Sequence, residues 1–406
     1  MIQQRFPKPQ ESSTAGLLTR LSAEPPDGRL VFGDERVVDF LDTVSRRLLA
    51  PTLTRSHPEL AALGFFLRRS RLRRLLSDLA NRPAEVRVPR GLVFHIPPAN
   101  VASLLVYPWA LSMLAGNANV VRLPTRGSET TEPLLELLCE CAEDAAPAVS
   151  HSQSVVAYGR DEEVTAALSA ACRLRVLWGG DRTVQELRRF QLGPDVRDLA
   201  MADRCSLCAI SARSWLAASS SEREDVVEGF YNDAYWYGQA ACASPLTVCW
   251  IGSPAQAEAA RRDFSDRLEA VVAKREPRIE PEIAIQKRVA TYGLAAEGDV
   301  EAIRHVSNAL AIVSLAPGRL LDRWSGTGTF GLATFASLLD LVPLITTRHQ
   351  TMGYFGLSRA ELVSFVEALG GRGIDRLVPI GEALAFEPVW DGYDLVHEFS
   401  KLVTVR

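Results

Sequence analysis

A thiol at position 242 sits in the run YGQAACASP, between a helical pattern and the apolar run LTVCWI. A cysteine at a helix-to-strand turn can meet a ligand, and its thiolate is a strong nucleophile toward a carbonyl carbon. On these residues alone Cys242 is either such a nucleophile or a small packed hydrophobe, since thiols are among the most buried side chains. The other cysteines fit packing. Cys139 and Cys141 fall in a helical pattern, and Cys172 and Cys249 lie in or beside strand patterns. Cys205 and Cys208 make a C-x-x-C, but in a strand-like run without a second pair or a nearby histidine, so no metal is assigned there.

Two glycine clusters invite a phosphate reading. Gly326, Gly328 and Gly331 form G-x-G-x-x-G, yet they follow the polar run DRWS, whereas a dinucleotide fingerprint follows an apolar strand and opens a helix. They are read as a loop. The run LWGGDRT, Leu177 to Thr183, has the required order of apolar strand, Gly179, Gly180 and helix. There, backbone N–H groups and the positive end of a helix could meet a pyrophosphate. A Gly-Gly pair that simply ends a strand is the alternative.

Such groups need elements to aim them. From Val86 the strand-like runs GLVFHI, NVVRL, SVVAYG and RLRVLW alternate with helical patterns, which implies βαβ units and a mainly parallel sheet covered by helices. A second α/β unit begins near Cys205 and runs past Thr346, with one helix expected over EREDVVEGFYNDAYWYGQAA. Residues 1 to about 30 read as a loosely ordered arm with no chemistry. Val37 to Leu79 has helical spacing and carries Arg68, Arg69, Arg71, Arg73 and Arg74, either a solvated face or a docking patch for an acidic carrier or CoA phosphates. Gly91 to Val121 has no Lys, Arg, Asp or Glu and exceeds the ~20 residues that span a bilayer. Pro97, Pro98, Pro108, Asn100, Asn117 and Asn119 interrupt it, so it reads as a buried strand, loop, helix and strand with no membrane span.

The whole chain of 406 residues has 45 basic and 49 acidic side chains, a formal charge of −4, which removes the positive field that nucleic-acid binding requires. With 47% apolar and 23% charged residues it is an ordinary globular composition, not a disordered or collagenous one. Seven cysteines are too few and too irregular for a disulfide scaffold, and MIQQRFPKPQESSTAG lacks the apolar core of a signal peptide, so the expected compartment is the cytoplasm.

The order of four motifs is more specific than any one of them. VPRGLVFHIPPAN, LAGNANVVRLPTR, LWGGDRT and YGQAAC resemble the P-x-G-V-x-x-I-x-P-W-N, A-G-N-x-V-V-x-K-P-S-E, F-T-G-S and G-Q-x-C motifs of the aldehyde dehydrogenase superfamily. The Arg-Leu-Pro after the Asn-rich turn, C-x-S-P, RHQTMGYFGLS and WDGYDLVHEFSKLV look most like the LuxC-type acyl-CoA (acyl-protein thioester) reductases within it.

The resemblance implies an α/β, aldehyde dehydrogenase-like fold: a Rossmann-type NADP-binding domain over 1–205 with part of the C-terminal segment, a catalytic thiol domain over 206–375, and a C-terminal return and oligomerisation segment over 376–406. A strand near Val86 would pair with the tail KLVTVR as an oligomerisation flap of a homodimer or homotetramer. Carried over, Cys242 becomes the acyl-accepting nucleophile. Asn100, which is otherwise a turn residue after two prolines, becomes an oxyanion donor beside the Cys242 backbone N–H. Arg122 stands where the superfamily has its cofactor-binding Lys, Thr125 and Arg126 follow it, and Gly179, Gly180 and Thr183 fall on the pyrophosphate turn.

The departures are informative. The activating Glu of E-L-G-G-K is missing from VRDLAMADRCSLC, where only Asp198 and Asp203 offer carboxylates. The Gln-to-Cys spacing is one residue longer than in G-Q-x-C. No acid closes the LPTR motif, which favours NADPH because an acid there would repel a 2′-phosphate. The implied reaction takes an acyl group from CoA or an acyl-carrier protein, with room for an acyl-transferring partner enzyme, and needs no metal. A hydrolytic aldehyde dehydrogenase, an acyl-phosphate reductase and a non-catalytic acyl-holding scaffold stay open.

Overall fold

A computed structural model describes residues 1–80 and 85–405. The chain divides into two units, Met1–Asp203 with Ala385–Arg406, and Arg204–Leu384.

The first unit contains β1 (Ile2–Phe6), β2 (Gln10–Ser12), β3 (Glu85–Pro89), β4 (Leu92–Ile96), β5 (Ala118–Arg122), β6 (Gln153–Ala157), β7 (Leu174–Trp178) and β8 (Asp198–Met201). Seven of these form one sheet in the order β2-β1-β6-β5-β4-β7-β8, parallel from β6 to β8 and antiparallel at β1 and β2. The strands β4 and β7 are apolar runs rich in branched and aromatic side chains, buried along almost their whole length, as a sheet covered on both faces requires. The charge-free stretch resolves into β4, the helix Ser103–Leu114 and β5. Every residue of that helix is buried, and Pro108 lies inside it without ending it. No helix among the described residues is long and apolar enough to cross a membrane.

The arm expected to be loosely ordered is a correction. Ile2–Phe6 pairs with β6, and Thr14–Ser22 forms a helix that buries Leu17 and Leu21. Two short elements suffice because the sheet and core already exist to receive them. The arginine-rich region forms several helices, and its cations are mostly paired: Arg69 with Asp39, Arg71 with Glu387 at 2.6 Å and Arg73 with Glu35 at 3.0 Å. That supports the solvated-face reading.

The second unit holds β9 (Cys205–Ser211), β10 (Pro245–Ile251), β11 (Val300–His305), β12 (Ala311–Leu315), β13 (Thr329–Phe335), β14 (His349–Phe355) and β15 (Arg376–Pro379). They form a seven-stranded sheet in the order β11-β12-β13-β10-β9-β14-β15, parallel except at β11. Residues 376–384 therefore belong with the thiol-bearing unit, and the return to the first unit begins at Ala385.

The return carries β16 (Val389–Trp390), β17 (Tyr393–Asp394) and β18 (Ser400–Thr404). It is fastened by the Asn-rich turn: Asn117 Nδ2 donates to the Phe399 carbonyl at 2.8 Å, while Asn117 Oδ1 accepts from the N–H of Arg90 and Gly91. β18 pairs antiparallel with β3, Ser400 opposite Pro89 and Thr404 opposite Glu85, as the tail-to-Val86 pairing anticipated. Arg406, the last residue of the expected strand, lies outside the described residues.

Candidate functional site

In the first unit the chain runs outward from β4 through β5 to β6 and then returns to place β7 against the other side of β4. The carboxyl ends of β4 and β7 thus flank a topological switch point, where open α/β sheets leave a crevice for ligands. The residues singled out in this half of the sequence converge on that edge. Asn100 is exposed in the bend after β4, Arg122 ends β5, and Thr125 and Arg126 are exposed just beyond it. Gly179 and Gly180 follow β7, with Gly180 as N-cap of the helix Asp181–Arg188 and Thr183 exposed in its first turn.

That turn has room for a ligand. A side chain at Gly180 would meet nothing within 4 Å, and no side chain caps the helix, so its first N–H groups are left for another acceptor. Trp178 Nε1, immediately before the glycines, is buried without a partner. Asp181 in the first turn is drawn aside, accepting from the Asp203 N–H at 3.2 Å. Arg122 lies over the Tyr158 ring, 4.8 Å from its centroid, and donates to the Gly159 carbonyl.

In the second unit the expected long helix stops at Tyr235, and Trp236–Gln239 form a tight turn in which Tyr237, Gly238 and Gln239 have φ of 55, 60 and 59°. Two non-glycine residues in left-handed conformation are costly, so the surroundings must enforce them. Gln239 does so with its whole hydrogen-bonding capacity. Buried at 1% exposure, its Nε2 donates to the carbonyls of Pro245 (2.9 Å) and Thr329 (3.0 Å), and its Oε1 accepts from the N–H of Gly328 (2.7 Å) and Thr329 (3.2 Å). The Gly238 carbonyl accepts from Trp324 Nε1 and Thr327 Oγ1.

The G-x-G-x-x-G loop therefore serves the thiol turn rather than a phosphate. Gly328 has φ of +74°, and a Cβ there would lie 1.9 Å from the Ala309 carbonyl oxygen and 2.7 Å from the Tyr235 hydroxyl. Only glycine lets the loop reach Gln239.

Cys242 follows, half-buried in the turn that leads into β10. Its carbonyl accepts from Ser206 Oγ at 2.6 Å, and that hydroxyl in turn accepts from the Thr351 N–H at 3.1 Å, so the backbone at Cys242 is tied to β9 and β14. Burial pushes the thiols of Cys139, Cys141, Cys172, Cys208 and Cys249 up, which disfavours their thiolates. The C-x-x-C pair lies buried in β9.

Sequence reasoning missed Asp233. It is 3% exposed, and its carboxyl accepts from the N–H of Gly381 at 2.6 Å and Ala383 at 3.0 Å. Its carbonyl accepts from Ser244 Oγ at 2.7 Å, just beyond Cys242. Burial pushes this carboxyl up to about 7 against the opposing pull of the backbone N–H groups and Arg376. The folded state thus holds the proton more tightly than the unfolded chain. The stability linked to it is full below the ordinary carboxylate value of ~3.9 and is lost as pH rises through about 7. Asp233→Asn should flatten the fall in melting temperature across that window. Thermal melts of the two proteins showing parallel pH profiles would contradict this.

Of the two carboxylates considered as hydrolytic bases, one is engaged elsewhere. Asp198 forms a two-pronged pair with buried Arg175, Nε to Oδ1 at 2.7 Å and Nη2 to Oδ2 at 3.0 Å, and has Arg188 3.6 Å away. Asp203 is exposed after β8.

The sequence matches the family described as Acyl-CoA reductase (LuxC) over residues 68–404. No curated protein matches it. Among solved structures it is similar to aldehyde dehydrogenase 21 from Physcomitrella patens, in complex with the reaction product succinate, at 11% identity and a TM-score of 0.68, over 98% of this chain and 92% of that one. It is also similar to an NAD-dependent aldehyde dehydrogenase from Sinorhizobium meliloti, at 12% identity and a TM-score of 0.68, over 97% and 86% of the two chains. An aldehyde dehydrogenase from Brucella melitensis biovar abortus 2308 matches at 13% identity and a TM-score of 0.66, over 100% and 93%. At such identities the likeness concerns the fold, which is aldehyde dehydrogenase-like, as the motif order implied.

Proposed function

Because this chain belongs to the LuxC family of acyl-CoA reductases, we propose that it reduces an acyl thioester, carried by CoA or an acyl-carrier protein, to an aldehyde with NADPH. The observation that carries this reading is the Cys242 turn: a half-buried thiol on a backbone fixed by Gln239 and Ser206, while burial disfavours the thiolates of the cysteines with resolved shifts.

The Cys242 thiolate attacks the acyl carbon, the bond from that carbon to the carrier sulfur breaks, and the carrier leaves as a thiol after taking a proton from solvent. Negative charge develops on the carbonyl oxygen during attack, and the Asn100 side chain with the Cys242 N–H would stabilise it; one such donor is worth ~10²–10³ in rate. NADPH, when held at the glycine turn by Gly179, Gly180 and Thr183, would supply the hydride that reduces the acyl carbon. The thiohemiacetal left on Cys242 then expels the thiolate and releases the aldehyde.

The uncapped glycine turn at Gly179 and Gly180, with Thr183, suits the pyrophosphate of that cofactor, and Arg122 and Arg126 supply cations near the end of β5 with no acid in the intervening Leu123–Thr125. Exposed Val86 and Val403 suit the β3–β18 ribbon to self-association into a homo-oligomer.

Decanoyl-CoA with NADPH should yield decanal and free CoA in equal amounts, and NADH should serve less well. Replacing Arg122 and Arg126 together by alanine should remove most of the preference, since two charge-assisted contacts to a phosphate are worth roughly tenfold or more. Equal rates with NADH in the unaltered protein would refute the NADPH assignment. Absence of aldehyde from acyl thioesters of every chain length tried, with cofactor bound, would refute the reading itself.

A further inference from the structure

The amino end of the first sheet, opposite the switch point, holds a cavity of about 730 Å³ beside Leu92 and Ala118, the first residues of β4 and β5. Leu21, Leu30 and Leu92 give it apolar walls, and Arg29, Arg90 and Arg173 line it as well. Among the described residues that line it there is no Asp or Glu. We propose that this cavity binds an amphipathic anion, an alkyl chain ending in a carboxylate, at a site separate from the thiol turn.

Two of the three cations bond to main-chain oxygens. Arg29 donates to the Ser22 carbonyl at 3.4 Å, and Arg90 donates through Nε to the Glu398 carbonyl, so both spend these bonds on main-chain oxygens. Arg173 has Asp195 at 3.4 Å. Partial burial and the nearby Arg197 cation, itself paired with Glu398, disfavour the charge on Arg90. An incoming carboxylate would relieve that cost and accept charge-assisted hydrogen bonds. An alkyl tail would cover the leucines. Among the described residues that line the cavity there is neither an aromatic side chain to stack a base nor an acid to hold ribose hydroxyls, so a nucleotide fits less well.

The walls are rigidly built. Arg36 donates to the carbonyls of Asp27 (2.7 Å), Gly28 (3.2 Å) and Arg29 (3.1 Å) while paired with Asp34, which fixes the loop bearing Arg29. The Gly33 N–H donates to the Leu114 carbonyl at 2.8 Å. Gly116, with φ of +83°, packs so tightly on Val31 that a Cβ would lie 2.7 Å from its carbonyl carbon. A site preformed in this way loses little entropy on binding.

Calorimetric titration of the full chain with decanoate tests this. One equivalent should bind, more weakly at high salt because exposed Arg29 and Arg173 are screened. The double substitution Arg29→Ala with Arg173→Ala should weaken binding roughly tenfold or more. Ala171→Phe, at an exposed helix end that lines the cavity, should fill the space and remove binding. Should that variant fail to fold, the surface arginine pair still decides. Carbamidomethylation of Cys242 should leave decanoate binding unchanged, which separates this site from the proposed acyl site. The proposal fails if 1-decanol binds as tightly as decanoate, if decanoyl-CoA binds this cavity more tightly than decanoate, or if neither set of substitutions alters the titration.

Discussion

Cys242→Ser should lower aldehyde formation from acyl-CoA by ~10³-fold or more and leave the fold intact. A hydroxyl is far harder to ionise than a thiol, so the acyl transfer that opens the reaction would stall. The substitution should be structurally quiet because the turn is held by other groups. Ser206 bonds to the carbonyl of residue 242, not to its sulfur, and the left-handed run before it is fixed by Gln239. Intact-mass measurement after exposure to decanoyl-CoA without cofactor should show one acyl group on the unaltered protein and none on the variant. The other thiols are poor substitutes: Cys208 and Cys249 are 1% and 0% exposed, and burial raises their pKa. An unchanged reductase rate, or an acyl group recovered on Cys205 or Cys208, would remove Cys242 from the mechanism.

The elements that present this chemistry were largely legible in the sequence because buried parallel strands leave continuous apolar runs. β4, β5, β6 and β7 lie where GLVFHI, NVVRL, SVVAYG and RLRVLW stand. The support of the site was not legible, because its partners are far apart in the chain and ordinary in type. Gln239 reaches Gly328 and Thr329 across 89 and 90 positions, and Asn117 reaches the Phe399 carbonyl across 282. The run YWYGQ continues a helical pattern, so periodicity extends the helix through it, whereas hydrogen bonds with β13 and its preceding loop hold it left-handed. G-x-G-x-x-G could be rejected as a nucleotide fingerprint from its polar flank, but its actual role needed the partner side chain. Ile2–Phe6 illustrates the same limit: a short strand acquires its identity from β6, which lies some 150 residues on.

Given aldehyde, NADP⁺ and no thiol, the protein should form free carboxylate ~10²–10⁴-fold more slowly than it forms thioester when CoA is present. In the proposed mechanism both products would leave the same acyl-enzyme on Cys242, and they differ in the nucleophile that resolves it. Water needs a carboxylate base, and the superfamily's E-L-G-G-K glutamate has no counterpart in VRDLAMADRCSLC. Asp198 cannot replace it while both of its oxygens bind buried Arg175, because withdrawing the carboxylate would leave a guanidinium of 1% exposure without its partner. Asp233 is no better placed, since its oxygens are occupied by backbone N–H groups of Gly381 and Ala383. A thiol brings its own ionisable proton and attacks as thiolate, so it escapes the requirement. One preparation assayed with and without CoA decides the matter. Carboxylate formed at comparable speed without CoA would mean that a base reaches the acyl-enzyme after all, with Asp203 as the first residue to replace, and the protein would then act as a hydrolytic aldehyde dehydrogenase.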